Sequence, residues 1–355
     1  MTGTRPNILL ACNKEVRENY LAQADLQRLS QFADWDWFEC EGEGIDETNA
    51  DAGAAKQLGQ RLGGVDGLVV CHDCPTLSSQ VLEQAANLKI IGELEGDRFA
   101  SRIDVEAAWE RGICTVDTTN GSSYPVSEWA LAMMLIALRN AGRHFRRIIA
   151  GKYQKPGHDD LGYSRGDLTG KRVGLIGCGH IGRRLIQFLQ PFEVDIWVYD
   201  PYLAREMADV VGFLKTSLDH VMSQCDVIVC LAPLTPKTEG MIGQRELELV
   251  RPGAALVNVS RGKVINSDAL VARLKRGDIT AALDVFDPEP YYDHEIIHLD
   301  NVFLSPHIAG VTAASYPRFF ELMVDELDRF FHGHETLFDL TPRTMANRRG
   351  SESEG

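Results

Sequence analysis

Arg172-Val-Gly-Leu-Ile-Gly-Cys-Gly-His-Ile-Gly182, continuing into the helical pattern Arg183 to Leu189, decides the fold of this 355-residue chain. An apolar run ends in a Gly-x-Gly-x-x-Gly loop, and a helix pattern opens on the last glycine. In that setting the three glycines play separate parts. Gly177 permits a tight turn, Gly179 lets a phosphate approach the backbone closely, and Gly182 allows close helix–strand packing. The amides of His180 and Ile181 then stand at a helix N-terminus, where unpaired N–H groups and the helix dipole favour an anion.

About twenty residues further on, the apolar strand Val194-Asp-Ile-Trp-Val-Tyr199 ends in Asp200. A carboxylate there accepts hydrogen bonds from adenine ribose hydroxyls and repels a 2′-phosphate, so the expected cofactor is NAD rather than NADP. Further apolar runs follow at Val227 to Leu231, Ala255 to Val259, Ala281 to Phe286 and Val302 to Ser305, which completes a dinucleotide-binding sheet. Upstream, Asn7 to Cys12, Gly67 to Cys71, Lys89 to Gly92 and Ile113 to Val116 alternate with helical patterns and form a second set of βα units. The turn-rich Thr119-Asn-Gly-Ser-Ser-Tyr-Pro125 reads as a crossing between domains, ahead of one long helix from Val126 to about Ala150. The fold class is therefore α/β with two doubly wound domains, and two domains imply a cleft.

A nucleotide site does not say what is done with the nucleotide. Three later motifs do: Asn258-Val-Ser-Arg261-Gly262, Asp284-Val-Phe-Asp-Pro-Glu289-Pro290 and Pro306-His307-Ile-Ala-Gly310 each end a strand. Strand ends of such a sheet converge on its carboxyl edge, where ligands bind. Oxidising a hydroxyl beside a carboxylate needs a group to hold the carboxylate and a group to take the hydroxyl proton. Arg261 suits the first role, because a guanidinium is always charged and pairs bidentately with carboxylate. His307 suits the second, as base in oxidation and acid in reduction. Glu289 can fix the histidine tautomer and stabilise imidazolium.

These motifs, together with Asp167 to Gly177 and Leu231-Ala-Pro-Leu-Thr-Pro-Lys-Thr238, resemble the D-isomer-specific 2-hydroxyacid dehydrogenases, the family of D-3-phosphoglycerate dehydrogenase. The resemblance implies a discontinuous flavodoxin-like substrate domain, 1–118 and 311–345, with an inserted Rossmann NAD-binding domain, 119–310, and a frayed tail, 346–355. It implies that Asp284 contacts the nicotinamide amide and that Val259, Ser260 and the loop from His307 to Gly310 line the nicotinamide pocket. It also implies a homodimer joined through the long apolar helix after Tyr124. The family's glycine-rich carboxylate-binding loop falls at Gly92-Glu-Leu-Glu-Gly-Asp-Arg-Phe-Ala-Ser-Arg102, which puts Gly96 and Arg98 at the substrate. That loop departs from the family pattern: it is longer and carries charges of both signs. Either Arg98 or Arg102 faces inward and suits a second anionic group on the acid, or both neutralise neighbouring acids on a solvated loop. The family's usual Asp after the arginine motif is Asn266 here.

Composition sets the surroundings. With 44% hydrophobic and 25% charged residues the chain reads as globular. Its formal charge of -15 argues against a nucleic-acid partner. Met1 to Asn13 lack the pattern of a secretion signal, and Trp129 to Leu138 is too short to span a bilayer, so a cytoplasmic protein without a membrane partner is expected. No metal is expected, because Cys71-His72-Asp73-Cys74 has no second ligand pair. The expected reaction is hydride exchange between NAD and C2 of a small D-2-hydroxy or 2-keto acid. The alternative is an NADH-sensing corepressor-like binding protein on the same fold.

Overall fold

A computed structural model describes residues 5–41, 51–95, 102–289 and 293–349, and the chain divides into two compact units. The first comprises Met1–Ser122 with Thr312–Gly355, the second Ser123–Val311. Each is built on one open parallel sheet, the two-domain α/β architecture expected from the sequence.

The first sheet runs β2-β1-β3-β4-β5, from β1 (Asn7–Cys12), β2 (Asp34–Glu39), β3 (Gly67–Val70), β4 (Ile90–Glu93) and β5 (Cys114–Asp117). This is the flavodoxin-like order, with its topological switch point between β1 and β3. β3 and β4 are buried throughout, as strands covered by helices on both faces must be. β2 is not among the strands expected from the sequence. Its Asp-Trp-Asp-Trp-Phe-Glu run forms a half-exposed edge, paired with β1 in the register Asn7↔Asp34.

The helix Tyr316–Phe331 brings the chain back to this unit and buries Phe319, Phe320, Met323, Val324 and Leu327 in its core. The following segment runs antiparallel to β5, with Asp117 N donating to Phe338 O at 3.0 Å and Leu340 N to Thr115 O at 2.7 Å. A last helix, Pro342–Arg349, extends into the stretch expected to fray. Thr341 caps it through Thr344, and Met345 is buried, so packing holds a segment whose sequence is mostly polar.

The second sheet runs β12-β11-β10-β9-β6-β7-β8, from β6 (Arg172–Ile176), β7 (Asp195–Tyr199), β8 (Leu214–Lys215), β9 (Val227–Cys230), β10 (Ala255–Asn258), β11 (Thr280–Leu283) and β12 (Val302–Leu304). All its pairings are parallel, and the order is that of a dinucleotide-binding sheet, with the switch point between β6 and β9. The single helix expected over Val126 to Ala150 is two. Ser123–Leu138 and Ala141–Ile149 are separated at Asn140, whose left-handed φ of 48° no α-helix accommodates. The first of them is apolar because it is buried in the core of this unit, through Ala130, Met133, Met134, Ala137 and Leu138. Among the described residues no helix is long and apolar enough to cross a membrane.

Glu326 anchors the return of the chain to the first unit. It is 0% exposed, and its Oε2 accepts from Leu337 N at 2.7 Å and Phe338 N at 3.0 Å. Burial lifts its carboxyl above the usual range, against the opposing pull of those two amides. The folded protein thus holds this proton to a higher pH than the unfolded chain, so the contribution is complete below 4.5 and is lost as pH rises through the folded value. Glu326→Ala, which strands both amides, is expected to cost about 1–3 kcal/mol per amide. Glu326→Gln, which cannot ionise, should gain on the wild type as pH rises; thermal melts at pH 5 and pH 8 with parallel shifts in both proteins would contradict this.

Candidate active site

The loop after β6 turns at Gly177, whose φ of 93° and contact with the β9 end admit no side chain. A Cβ there would lie 3.0 Å from Ala232 N. At Gly182 a Cβ would lie 3.1 Å from Gly177 O, whereas at Gly179 it would meet nothing within 4 Å. Gly179 and His180 are exposed at the start of the helix His180–Leu189, whose first-turn amides cannot be paired within the helix. Asp200, just beyond β7, is half-buried: its Oδ2 accepts from Cys178 N at 2.9 Å and its Oδ1 from Tyr202 N at 2.9 Å. Each oxygen retains a lone pair, so the carboxylate is oriented beside the loop and can still take hydroxyl donors. An anion at the open first turn and a diol at Asp200 are what a dinucleotide presents, and the residues fit that group. Burial pushes the Cys178 thiol in the loop up to about 11, so it is no nucleophile at neutral pH.

Arg261, Glu289 and His307 follow β10, β11 and β12, three neighbouring strands, and so come to one edge of one sheet. Asn258 shapes the arginine turn, its Oδ1 accepting from Ser260 N at 3.0 Å and Ser260 Oγ at 2.9 Å while its Nδ2 donates to Arg261 O at 3.1 Å. Arg261 itself is half-buried, with Nη1 donating to Ser260 O at 2.9 Å. The next residue decides how close the neighbouring loop can come. A Cβ at Gly262 would stand 2.4 Å from Phe286 C and 2.7 Å from Asp287 N, both backbone atoms.

That neighbouring loop carries Glu289, whose Oε1 accepts from Phe286 N at 3.0 Å. Its Oε2 is 3.0 Å from His307 Nδ1. With Nδ1–H donating to the carboxylate, the lone pair of Nε2 is left for another partner, on a side chain 48% exposed. The His307 backbone has a φ of 53°, an uncommon conformation for a residue with a side chain. It is held there by Asp284. The Asp284 carboxylate accepts from Ser305 Oγ at 2.5 Å, Ile308 N at 3.1 Å and Ala309 N at 2.9 Å, while its carbonyl accepts from His307 N at 2.9 Å. Trp129 Nε1 donates to Ser305 Oγ at 3.2 Å and extends the network into the core.

The Asp284 carboxylate, implied as a nicotinamide contact, is 0% exposed and organises the histidine loop. Sequence reasoning assigns no role to Asn258, Gly262, Ser305 or Trp129. Asn258 and Gly262 lie within the arginine motif and Ser305 directly precedes the histidine motif, whereas nothing in the sequence marks Trp129. Gly96 and Arg98 lie outside the described residues. Arg102 is buried, with Nη1 on Glu93 Oε1 at 2.7 Å and on Glu95 O at 2.7 Å, so it balances an interior carboxylate and offers no second cation to a ligand.

Residues 131–309 match the model of the D-isomer specific 2-hydroxyacid dehydrogenase NAD-binding domain. The chain is also 31% identical to a glyoxylate reductase of Pyrococcus furiosus, over 82% of this chain and 85% of that one. It belongs to the D-isomer-specific 2-hydroxyacid dehydrogenase family. As a member it takes NAD in its second unit, where the glycine loop and Asp200 lie. A D-3-phosphoglycerate dehydrogenase of Methanocaldococcus jannaschii is 32% identical over 82% of this chain but only 55% of its own length, so this dehydrogenase-family chain spans about half of that relative. The fold is shared with the apo D-mandelate dehydrogenase of Rhodotorula graminis, at a TM-score of 0.79, 23% identity and coverage of 95% and 98%.

Asp200 sets a fixed negative charge where an additional ribose phosphate would lie. NADH is expected to bind at least about tenfold more tightly than NADPH, a gap of some 1.4 kcal/mol, and Asp200→Ser should narrow it. Fluorescence titration of both cofactors checks this; equal affinities in the wild type would remove Asp200 from the role.

Proposed function

We propose that the protein interconverts a small D-2-hydroxy acid and the corresponding 2-keto acid with NAD. The observation that carries the reading is the 3.0 Å contact of Glu289 with His307 Nδ1, beside an arginine turn locked on the same sheet edge. Arg261 holds the substrate carboxylate, and His307 Nε2 takes the hydroxyl proton in oxidation and returns it in reduction. Glu289 keeps the ring in the tautomer that leaves Nε2 bare and stabilises the imidazolium. Bound NAD supplies the acceptor for the hydrogen and electron pair leaving C2. The amides from Gly177 and Gly179 through His180, Ile181 and Gly182 receive the pyrophosphate, and Asp200 the ribose. Val259, Ser260 and Gly310 lie beside the nicotinamide.

The substrate partner is then a small acid, with neither nucleic acid nor membrane involved, in the cytoplasm. We assign the homodimer contact to the helix Ala141–Ile149 rather than to the buried helix before it. Phe145, Ile148 and Ile149 are exposed there, 65%, 59% and 73%, on one short helix. Ile149→Asp should lower the mass in sedimentation if this face joins two copies; a wild-type monomer would exclude it.

The decisive measurement is NADH oxidation over glyoxylate, hydroxypyruvate, pyruvate, 2-ketoglutarate and bulky aryl keto acids. His307→Gln should reduce kcat by about 10²-fold or more while NADH binding changes little. Arg261→Ala should raise KM for every acid. NADH binding without turnover of any acid would favour the NADH-sensing alternative.

A further inference from the structure

Within the second unit, the helix Ser123–Leu138 lies against β10, β11 and β12, the strands whose ends lead to Arg261, to Asp284 and Glu289, and to His307. Its Trp129 is half-buried and packs on the core of the unit, and Nε1 donates to Ser305 Oγ at 3.2 Å. Ser305 directly follows β12 and is 4% exposed. Its Oγ donates to Asp284 Oδ1 at 2.5 Å. Asp284 in turn accepts from the amides of Ile308 at 3.1 Å and Ala309 at 2.9 Å, the two residues after His307.

Chemistry fixes the direction of this chain. An indole N–H donates and cannot accept, while an ionised carboxylate accepts and cannot donate. Ser305 therefore receives a bond from Trp129 and gives its own proton to Asp284. Bonds arranged head to tail in this way polarise one another. Among the described residues no cation pairs with the 0% exposed Asp284, so Ser305 and the two loop amides are what replace water around it. Those same amides hold the backbone around His307, whose φ is 53°. A shift of the Asp284 carboxylate is thus a shift of the histidine loop.

We propose that Trp129 and Ser305 are positioning residues: through Asp284 they hold the loop in the left-handed turn that places His307 Nδ1 on Glu289 and directs Nε2. The inference rests on the acid–base role proposed for His307, and it adds to that role two residues outside the three strand-end motifs. The helix Ser123–Leu138 then has a function beyond covering the sheet.

The test is NADH oxidation by the full chain with glyoxylate, hydroxypyruvate or pyruvate, whichever the wild type turns over fastest. Ser305→Ala should lower kcat by roughly 10- to 100-fold, the range of a hydrogen bond to a charged group. Trp129→Phe, which keeps the aromatic bulk and loses the N–H, should lower it by about 2- to 10-fold. KM for the acid should change little, because Asn258 and Gly262 fix the arginine turn without Ser305. Residues that act in series are not additive. Adding Trp129→Phe to Ser305→Ala should cost nothing further, and in a His307→Gln background Ser305→Ala should leave kcat where His307→Gln sets it. A merely structural loss would multiply in both cases. Circular dichroism melts identify the folded variants; if Ser305→Ala does not fold, Trp129→Phe with and without His307→Gln decides the matter. An unchanged kcat in the folded variant overturns the inference. So does an equal loss with and without His307→Gln, which would place the effect elsewhere than on the histidine. In both cases the role of His307 stands. A His307→Gln variant as fast as the wild type removes that role, and the inference with it.

Discussion

Asp284 has no exposed surface, and its carboxylate accepts three hydrogen bonds from a loop more than twenty residues further along the chain. Those bonds hold His307 in a left-handed backbone conformation that a residue with a Cβ does not adopt without outside support. The side chain is thereby aimed at Glu289, carried by the loop that Asp284 begins. One buried carboxylate thus sets the backbone of the histidine, while an exposed one contacts its ring. Ser305 and Trp129 complete the arrangement by tying Asp284 to the interior of the unit.

A second constraint acts through space rather than through hydrogen bonds. The arginine turn approaches the Phe286 backbone so closely that only hydrogen fits at Gly262. Asn258 shapes the turn from one side and Gly262 permits the approach from the other. The proposed carboxylate anchor and the acid–base pair are therefore rigid relative to one another without any direct bond between Arg261 and His307. Rigid placement of this kind is what lets positioned groups act on a substrate without reorganising first.

Each sheet gathers polar groups at its switch point, with different chemistry. At the switch point of the second unit, the glycine loop brings its backbone onto the Asp200 carboxylate, which accepts from Cys178 N. At the switch point of the first, Tyr20 and His72 both contact one oxygen of the Glu95 carboxylate. Cys178 takes part in the second through its backbone N–H. Cys71 and Cys74, which have redox-pair spacing, are fully buried with thiols raised well above their ordinary range, chiefly by burial.

The sequence by itself determined the α/β class, the glycine loop, Asp200, and the motifs that end three strands of one sheet. These are local signals: a strand, its turn and the helix after it occupy consecutive residues, so their pattern is written in order. The break at Asn140 and the edge strand of β2 were less legible. A left-handed residue costs little at an Asn, and an edge strand has only one neighbour to impose a buried pattern. What only the tertiary structure decided involves partners far apart in the chain: Asp284 with the loop at 305–309, Gly262 with Phe286, Glu326 with Leu337 and Phe338, and Tyr20 and His72 with Glu95. Arg102 shows the reason most directly. A run of mixed charges reads as a solvated loop, yet Glu93 lies at the end of a fully buried strand, and a carboxylate taken out of water needs its counter-charge brought in with it.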